Sequence, residues 1–315
     1  MVSLSHAPHG RATREFDVRD EQRFTLEPGQ SMTITATTYA ISVGVADVRR
    51  DPDSTSELVT QALMNMTASV GETSGDWTHI TLPDYTGWVR THQLEEPIAR
   101  SFCKVGETCS TPLPLFAVVT TTRTPLYENA NGNEAIGNVY LSTALPLLDT
   151  TRQARVQVAL PGERSAWLDR SAIAVREHES LYPRSPIRVV TTHARSFLNV
   201  PYLWGGTSYE GIDCSGFVQL CYRMGGYIIP RDADQQHDFL SHKVERTGIH
   251  EGDLIFFGAK EITHVGMALN DHEYIHAEGQ NYNHVVINSF RQDDPHYYPR
   301  LDTIVWAIKR VSRPD

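Results

Sequence analysis

Between residues 38 and 97, and again between 115 and 175, the chain breaks into short alternating runs punctuated by Gly, Asp and Pro. In the first segment the runs lie at 39–48, 58–66, 77–82 and 87–91; in the second at 116–121, 135–139, 144–147, 154–160 and 165–168. Alternation with a period of two places successive side chains on opposite faces of a strand. Many short strands joined by frequent turns fold into small barrels. The two segments also echo each other. Leu82-Pro83 followed by Gly87-Trp88-Val89 matches Leu160-Pro161 followed by Ala166-Trp167-Leu168. A diverged repeat of two small all-β barrels is therefore expected at 37–98 and 114–178. A linker at 99–113 joins them, and residues 1–36 form a polar extension with one strand at 31–36.

At 315 residues the chain exceeds one ordinary core, and its last segment, 185–315, changes character. Helices are expected at 187–198, over 217–224 with Cys214 at or near its start, and at 233–239. Strands are expected at 254–257, 264–269, 274–276, 285–289 and 304–309, giving an α+β domain with an antiparallel sheet.

The chemistry concentrates around Cys214. A loop rich in Gly and aromatic residues, Tyr202-Leu203-Trp204-Gly205-Gly206, precedes Asp213-Cys214-Ser215-Gly216-Phe217. This puts the thiol at a helix N-terminus, with Asp213 as its cap. The positive end of the helix dipole favours thiolate, the nucleophilic form, and the same N–H groups can stabilise an oxyanion. Downstream, His264 and His276 lie at equal distances on either side of Asn270, in two strand patterns joined by turn residues. In an antiparallel hairpin they fall opposite or nearly opposite each other, on one face. One imidazole can take the thiol proton while the other holds it in the correct tautomer. Three zinc ligands are the other reading of Cys214, His264 and His276, but no CxxC or HxxxH pair accompanies them. Cys221, further along the same helix among apolar neighbours, reads as core.

Taken in order, Tyr202-x-Trp204-Gly205-Gly206, Asp213-Cys214-Ser215-Gly216-Phe217, Pro230-Arg231-Asp232, Gly252-Asp253-Leu254, His264-Val265-Gly266 and Ile275-His276 resemble the NlpC/p60 cysteine peptidases over about residues 185–315. The resemblance implies a papain-like domain that cuts peptidoglycan stem peptides, with Cys214 as nucleophile, His264 as base and His276 as its orienter. The whole chain resembles a narrower group, the γ-D-glutamyl-L-diamino acid endopeptidases, with two bacterial SH3-like domains ahead of the catalytic one. That likeness implies a substrate with a free N-terminal L-Ala and cleavage after γ-D-Glu. It further implies that Asp213, Tyr85 and Glu57 receive the ammonium, and that Tyr202, Ser215, Arg231 and Asp232 line the site. Arg231 is expected to clamp the free α-carboxylate of D-Glu in bidentate fashion. Only the first barrel is expected to touch substrate, because Arg164 and Ser165 occupy the stretch matching Tyr85.

A net charge of −10 without a basic cluster makes nucleic acid and anionic membrane poor partners. No run approaches the ~18 apolar residues of a membrane span. No cofactor or metal is expected. The first ten residues lack an apolar core of secretory length, and there is no lipobox-like cysteine. Together these point to the cytoplasm and to recycling of murein peptides. Cys103 and Cys109 share one loop and could close a small disulfide, but free thiols are expected in a reducing compartment. Two other functions remain in view: a wall-anchored protein whose barrels grip peptidoglycan, and a cysteine amidase or acyltransferase on the same fold.

Overall fold

The β-rich half repeats in topology as well as in pattern. The computed structural model describes residues 37–98 and 115–311. The strand expected at 31–36 and the thiols Cys103 and Cys109 lie outside the described residues. The first sheet comprises β1 (Thr38–Ile41), β2 (Val45–Arg49), β3 (Leu58–Leu63), β4 (Thr67–Ser74), β5 (Trp77–Thr81), β6 (Thr86–Arg90) and β7 (Leu94–Glu95). The second comprises β8 (Leu115–Val119), β9 (Arg123–Tyr127), β10 (Ala135–Tyr140), β11 (Ala144–Asp149), β12 (Arg155–Leu160), β13 (Arg164–Asp169) and β14 (Ile173–Glu177). Their spatial orders are β3-β2-β6-β5-β4-β1-β7 and β10-β9-β13-β12-β11-β8-β14, the same order with each strand displaced by seven. Each sheet curls around its own apolar core, Ile41, Val48, Ala62, Ile80 and Val89 in the first and Val119, Leu126, Leu145, Val156 and Leu168 in the second.

In the C-terminal half, α1 (Ile187–Arg195) is followed by a hairpin of β15 (Thr207–Ser208) and β16 (Gly211–Ile212). Then come α2 (Cys214–Met224), α3 (Ala233–Phe239), β17 (His242–Lys243), β18 (Leu254–Phe257), β19 (His264–Ala268), β20 (Glu273–Glu278), β21 (His284–Ser289), α4 (Pro299–Asp302) and β22 (Val305–Arg310). The sheet is antiparallel, in the order β17-β22-β18-β19-β20-β21. Val190 and Phe197 from the α1 region and Phe217 and Leu220 of α2 pack with Phe256, Val265, Met267 and Ile275 on one side. Leu301 of α4, Phe290 and Tyr298 close the other over Phe257, Tyr274 and Ile308. Helix α2 is buried almost all round, as its nearly continuous apolar composition requires. Side chains such as Phe217 contribute about 1.5–3 kcal/mol each by leaving water.

The first barrel meets the C-terminal domain along β3, which is buried over its whole length. Gln61 Oε1 accepts the Thr207 N–H at 3.0 Å, and Asn65, just beyond β3, donates to the Ala144 carbonyl of the second barrel at 2.9 Å. Gly205 is required at this junction. Its φ is +75°, and a Cβ there would fall 2.3 Å from the Leu58 carbonyl oxygen. No helix among the described residues is long and apolar enough to cross a membrane.

Candidate active site

Asp213 caps α2, its carboxylate accepting the Gly216 N–H at 2.7 Å. The cap fixes the first turn, and with it the Cys214 side chain. Backbone N–H groups of Val265 and Ser215 point at the sulfur, so the thiol lies beside the residue that follows His264. It is only 9% exposed. This corrects the expectation of a resting thiolate. Burial, followed by the nearby Asp213 charge, pushes the thiol up to about 12, and the two N–H groups and Arg231 do not offset that. Cys214 therefore rests as a neutral thiol. Cys221 is a second buried free cysteine, packed in the main apolar cluster, consistent with a core role.

The two imidazoles share the sheet face of Phe257 and Tyr274. The hairpin turns one residue later than the sequence suggests, because the Asn270 side chain accepts the N–H groups of His272 and Glu273. Met267 pairs with Ile275, so His276 is diagonal to His264 and not directly opposite it. The diagonal suits the chemistry: His264 Nε2 and His276 Nδ1 are 2.8 Å apart, and His276 Nε2 lies 2.8 Å from Asn288 Oδ1. Burial, then the neighbouring His276 and Arg300, holds His264 well below the ordinary imidazole range. Burial lowers His276 to about 4, against the opposing effects of Asn288 and Glu278.

This depression has a consequence for stability. The unfolded chain takes up a proton on His276 near pH 6.5, whereas the folded one resists it until about pH 4. The stabilisation is complete above pH 6.5 and is lost as the pH falls toward 4, by about 3 kcal/mol. Urea unfolding between pH 7 and pH 4 will show this slope, and His276→Gln, which cannot take up the proton, will show a shallower one. Equal slopes would remove the claim.

Arg231 does not face an open cleft. It is 1% exposed, and its N–H groups are engaged inside the protein. Nη1 and Nη2 reach Asp213 at 3.0 and 2.7 Å, Nη1 also reaches Ser215 Oγ at 3.0 Å, Nε reaches Thr60 Oγ1 of β3 at 3.1 Å, and Nη2 points at the Gly206 carbonyl. A guanidinium with all five donors so placed has none left for a substrate carboxylate. The expected clamp is corrected to a buried staple that joins barrel, loop and helix cap. Asp213 is likewise occupied. Its oxygens accept from Arg231, Gly216 and, at 2.9 Å, Gly205 N–H.

The other expected residues gather where the first barrel meets the loop before Cys214. The Tyr85 hydroxyl reaches Asp232 Oδ2 at 3.4 Å. Glu57 accepts the Trp204 indole N–H at 3.0 Å and an Arg50 N–H at 2.7 Å. Burial, then the Asp232 charge, pushes the Tyr85 phenol up to about 12, and burial raises the Asp232 carboxyl. Tyr202 is half-buried beside the thiol. Burial, then Cys214 and Asp213, raises its phenol, so it stays a protonated donor. Thr60, Gln61 and Asn288 carry weight that the sequence did not reveal: a lone polar residue inside a buried strand has no spacing signature. Among the described residues, no group of three or more His, Cys, Asp or Glu side chains is arranged to hold a metal ion.

Residues 199–301 match the NlpC/P60 family, and residues 48–94 match the bacterial dipeptidyl-peptidase Sh3 domain. A γ-D-glutamyl-L-lysine dipeptidyl-peptidase of Bacillus cereus is 30% identical over 70% of this chain and 67% of its own length. Dipeptidyl-peptidase 6 of Lysinibacillus sphaericus is 28% identical over 84% of this chain and 96% of its own. The crystal structure of an NlpC/P60 family protein from Bacillus cereus superposes with a TM-score of 0.73 at 25% identity, covering 87% of this chain and 99% of that one. A common fold over most of both chains, together with a relative 30% identical over two thirds of its own length, leads to one conclusion: the chain belongs to the NlpC/P60 family, whose cysteine-peptidase fold it carries.

Proposed function

We propose that this enzyme hydrolyses the amide between γ-D-Glu and the diamino acid of short murein peptides with a free N-terminal L-Ala. The observation that carries the reading is the contact of Tyr85 with Asp232, which brings an acceptor-rich corner of the first barrel against the catalytic domain. Glu57 lies close enough to act on the same phenol and is joined to Trp204 of the loop leading to Cys214. An ammonium needs such a cluster of carboxylates and a hydroxyl oxygen. With Asp213 engaged by Arg231, that task falls to Glu57, Tyr85 and Asp232. The names of two similar relatives, the γ-D-glutamyl-L-lysine dipeptidyl-peptidases of Bacillus cereus and Bacillus subtilis, support the same bond.

The chemistry follows from the neutral resting pair. As Cys214 Sγ attacks the γ-carbonyl carbon of D-Glu, its proton passes to His264 Nδ1, and the oxyanion meets the Tyr202 phenol and the N-terminus of α2. His264 then returns the proton to the departing amine, leaving a thioester. Water, deprotonated by the same imidazole, hydrolyses the thioester. His276 acts as the orienter of His264, and Ser215 braces Arg231.

The test compares L-Ala-γ-D-Glu-L-Lys, its diaminopimelate analogue and their N-acetylated forms. Acetylation removes the ammonium and strands the carboxylates, so kcat/KM falls by at least ~10²-fold. Equal cleavage of free and acetylated peptides would end the ammonium claim. Release of acetylated and free peptides at the same rate from intact sacculi would point to a wall-remodelling role instead.

A further inference from the structure

Behind His276 stands Asn288 of β21, 1% exposed and on the same sheet face, directly opposite Tyr274 and so diagonal to His276. Its amide orientation is fixed by chemistry. Nδ2 lies 3.1 Å from the His296 carbonyl oxygen, which only accepts, and 3.2 Å from the Tyr282 hydroxyl. Oδ1 therefore faces His276 Nε2, at 2.8 Å, and must accept from it. That requirement travels down the chain of contacts. A neutral His276 carrying its proton on Nε2 has a bare Nδ1, and a bare Nδ1 2.8 Å from His264 Nε2 requires the proton there. His264 is then left with its lone pair on Nδ1, the atom assigned above to the thiol proton.

We propose that Asn288 is a positioning residue that sets the tautomers of both imidazoles through one hydrogen bond to His276. The inference rests on His264 acting as the base, and its first test needs no substrate. Burial of the pair is what makes the device effective: with His276 lowered to about 4, both rings stay neutral across the working range, and only the tautomer remains to be chosen. The other groups facing the pair are the Tyr274 ring, Glu278, whose carboxylate favours protonation of His276, Arg300, whose charge opposes protonation of His264, and the Cys214 thiol near Val265. None of these accepts from His276 Nε2.

Ring ¹⁵N shifts of the free enzyme at pH 7, assigned with His264→Gln and His276→Gln, are expected to show His276 protonated on Nε2 and His264 on Nε2. A proton on His276 Nδ1 would overturn the proposal, whatever the enzyme cleaves. Two variants then separate positioning from mere packing. Asn288→Leu removes the acceptor, lets the wrong tautomer form, and lowers kcat by ~10- to 100-fold with KM unchanged. Asn288→Asp keeps the acceptor but adds a charge that favours doubly protonated His276. It should approach wild-type turnover above pH 8 and lose activity on acidification at a higher pH than wild type does, because His276 protonated on Nδ1 forces His264 into the non-basic tautomer. If both variants lose activity equally at every pH, in step with a lower Tm, Asn288 only fills space and the proposal fails.

Discussion

The Cys214→Ala protein is expected to fold as wild type does and to lose turnover of L-Ala-γ-D-Glu-L-Lys by ~10⁴-fold or more. The side chain sits behind the first turn of α2, and the cap that holds this turn is made by Asp213 and not by the thiol. A methyl group in its place leaves Arg231, Asp213 and the barrel contacts intact, so Tm should stay within a few degrees. What disappears is the only nucleophile that the Val265 and Ser215 N–H groups face. Cys221→Ala is the matched control. It removes a fully buried sulfur from the same helix, costs ~1 kcal/mol of packing, and should keep turnover. A neutral resting thiol adds a second signature: iodoacetamide should label Cys214 slowly at pH 7, at a rate still rising with pH above 9. Turnover by Cys214→Ala above ~1% of wild type would mean that another group attacks the peptide.

The parts of this fold that could be read from the sequence are those where a local pattern answers to one cause. The Trp88 and Trp167 echoes mark strands β6 and β13, which hold equivalent places in the two sheets, because the same inward alternation serves the same barrel position. Helix α3 begins and ends where its pattern suggests. Strand β4 escaped notice because all of its residues but Ala68 and Val70 are exposed, so its alternation stops after four residues. Strand β9 contains Pro125, which argues against a strand until its partners are known. The single run at 39–48 is cut into β1 and β2 because the backbone turns between Ile41 and Val45. Within the site, Cys214 and the two imidazoles stood out because each sits in a motif with its own spacing. The charge state of Cys214 did not, since a helix terminus is visible in a sequence and burial by distant elements is not. Asn288 was silent for the same reason.

Arg231 shows most sharply how a correct motif can carry the wrong role, and its replacement should have the largest effect on stability. Next to Asp232 and in front of α3 it looks like a free guanidinium awaiting a carboxylate. Its actual partner, Asp213, lies in the cap before Cys214, and its Nε bonds Thr60 on a strand of another domain. Arg231→Met deletes the cation and leaves the Asp213 carboxylate buried without its charge partner. Breaking a buried pair from one side costs about 3–5 kcal/mol. For a chain of this size that corresponds to a Tm lower by about 5–8 °C, read by calorimetry. Arg231→Lys should recover only part of this, since an ammonium cannot bridge both Asp213 oxygens, Ser215 and Thr60 at once. Activity should fall with stability, because the same carboxylate caps the helix that presents the sulfur and aligns it with the barrel. The competing role makes the opposite forecast. If Arg231 held the substrate carboxylate, Arg231→Met would leave Tm in place, raise KM steeply for peptides with a free α-carboxylate, and act equally well on the α-amide. An unchanged melting point would therefore return Arg231 to the substrate and require the cap of α2 to stand without it.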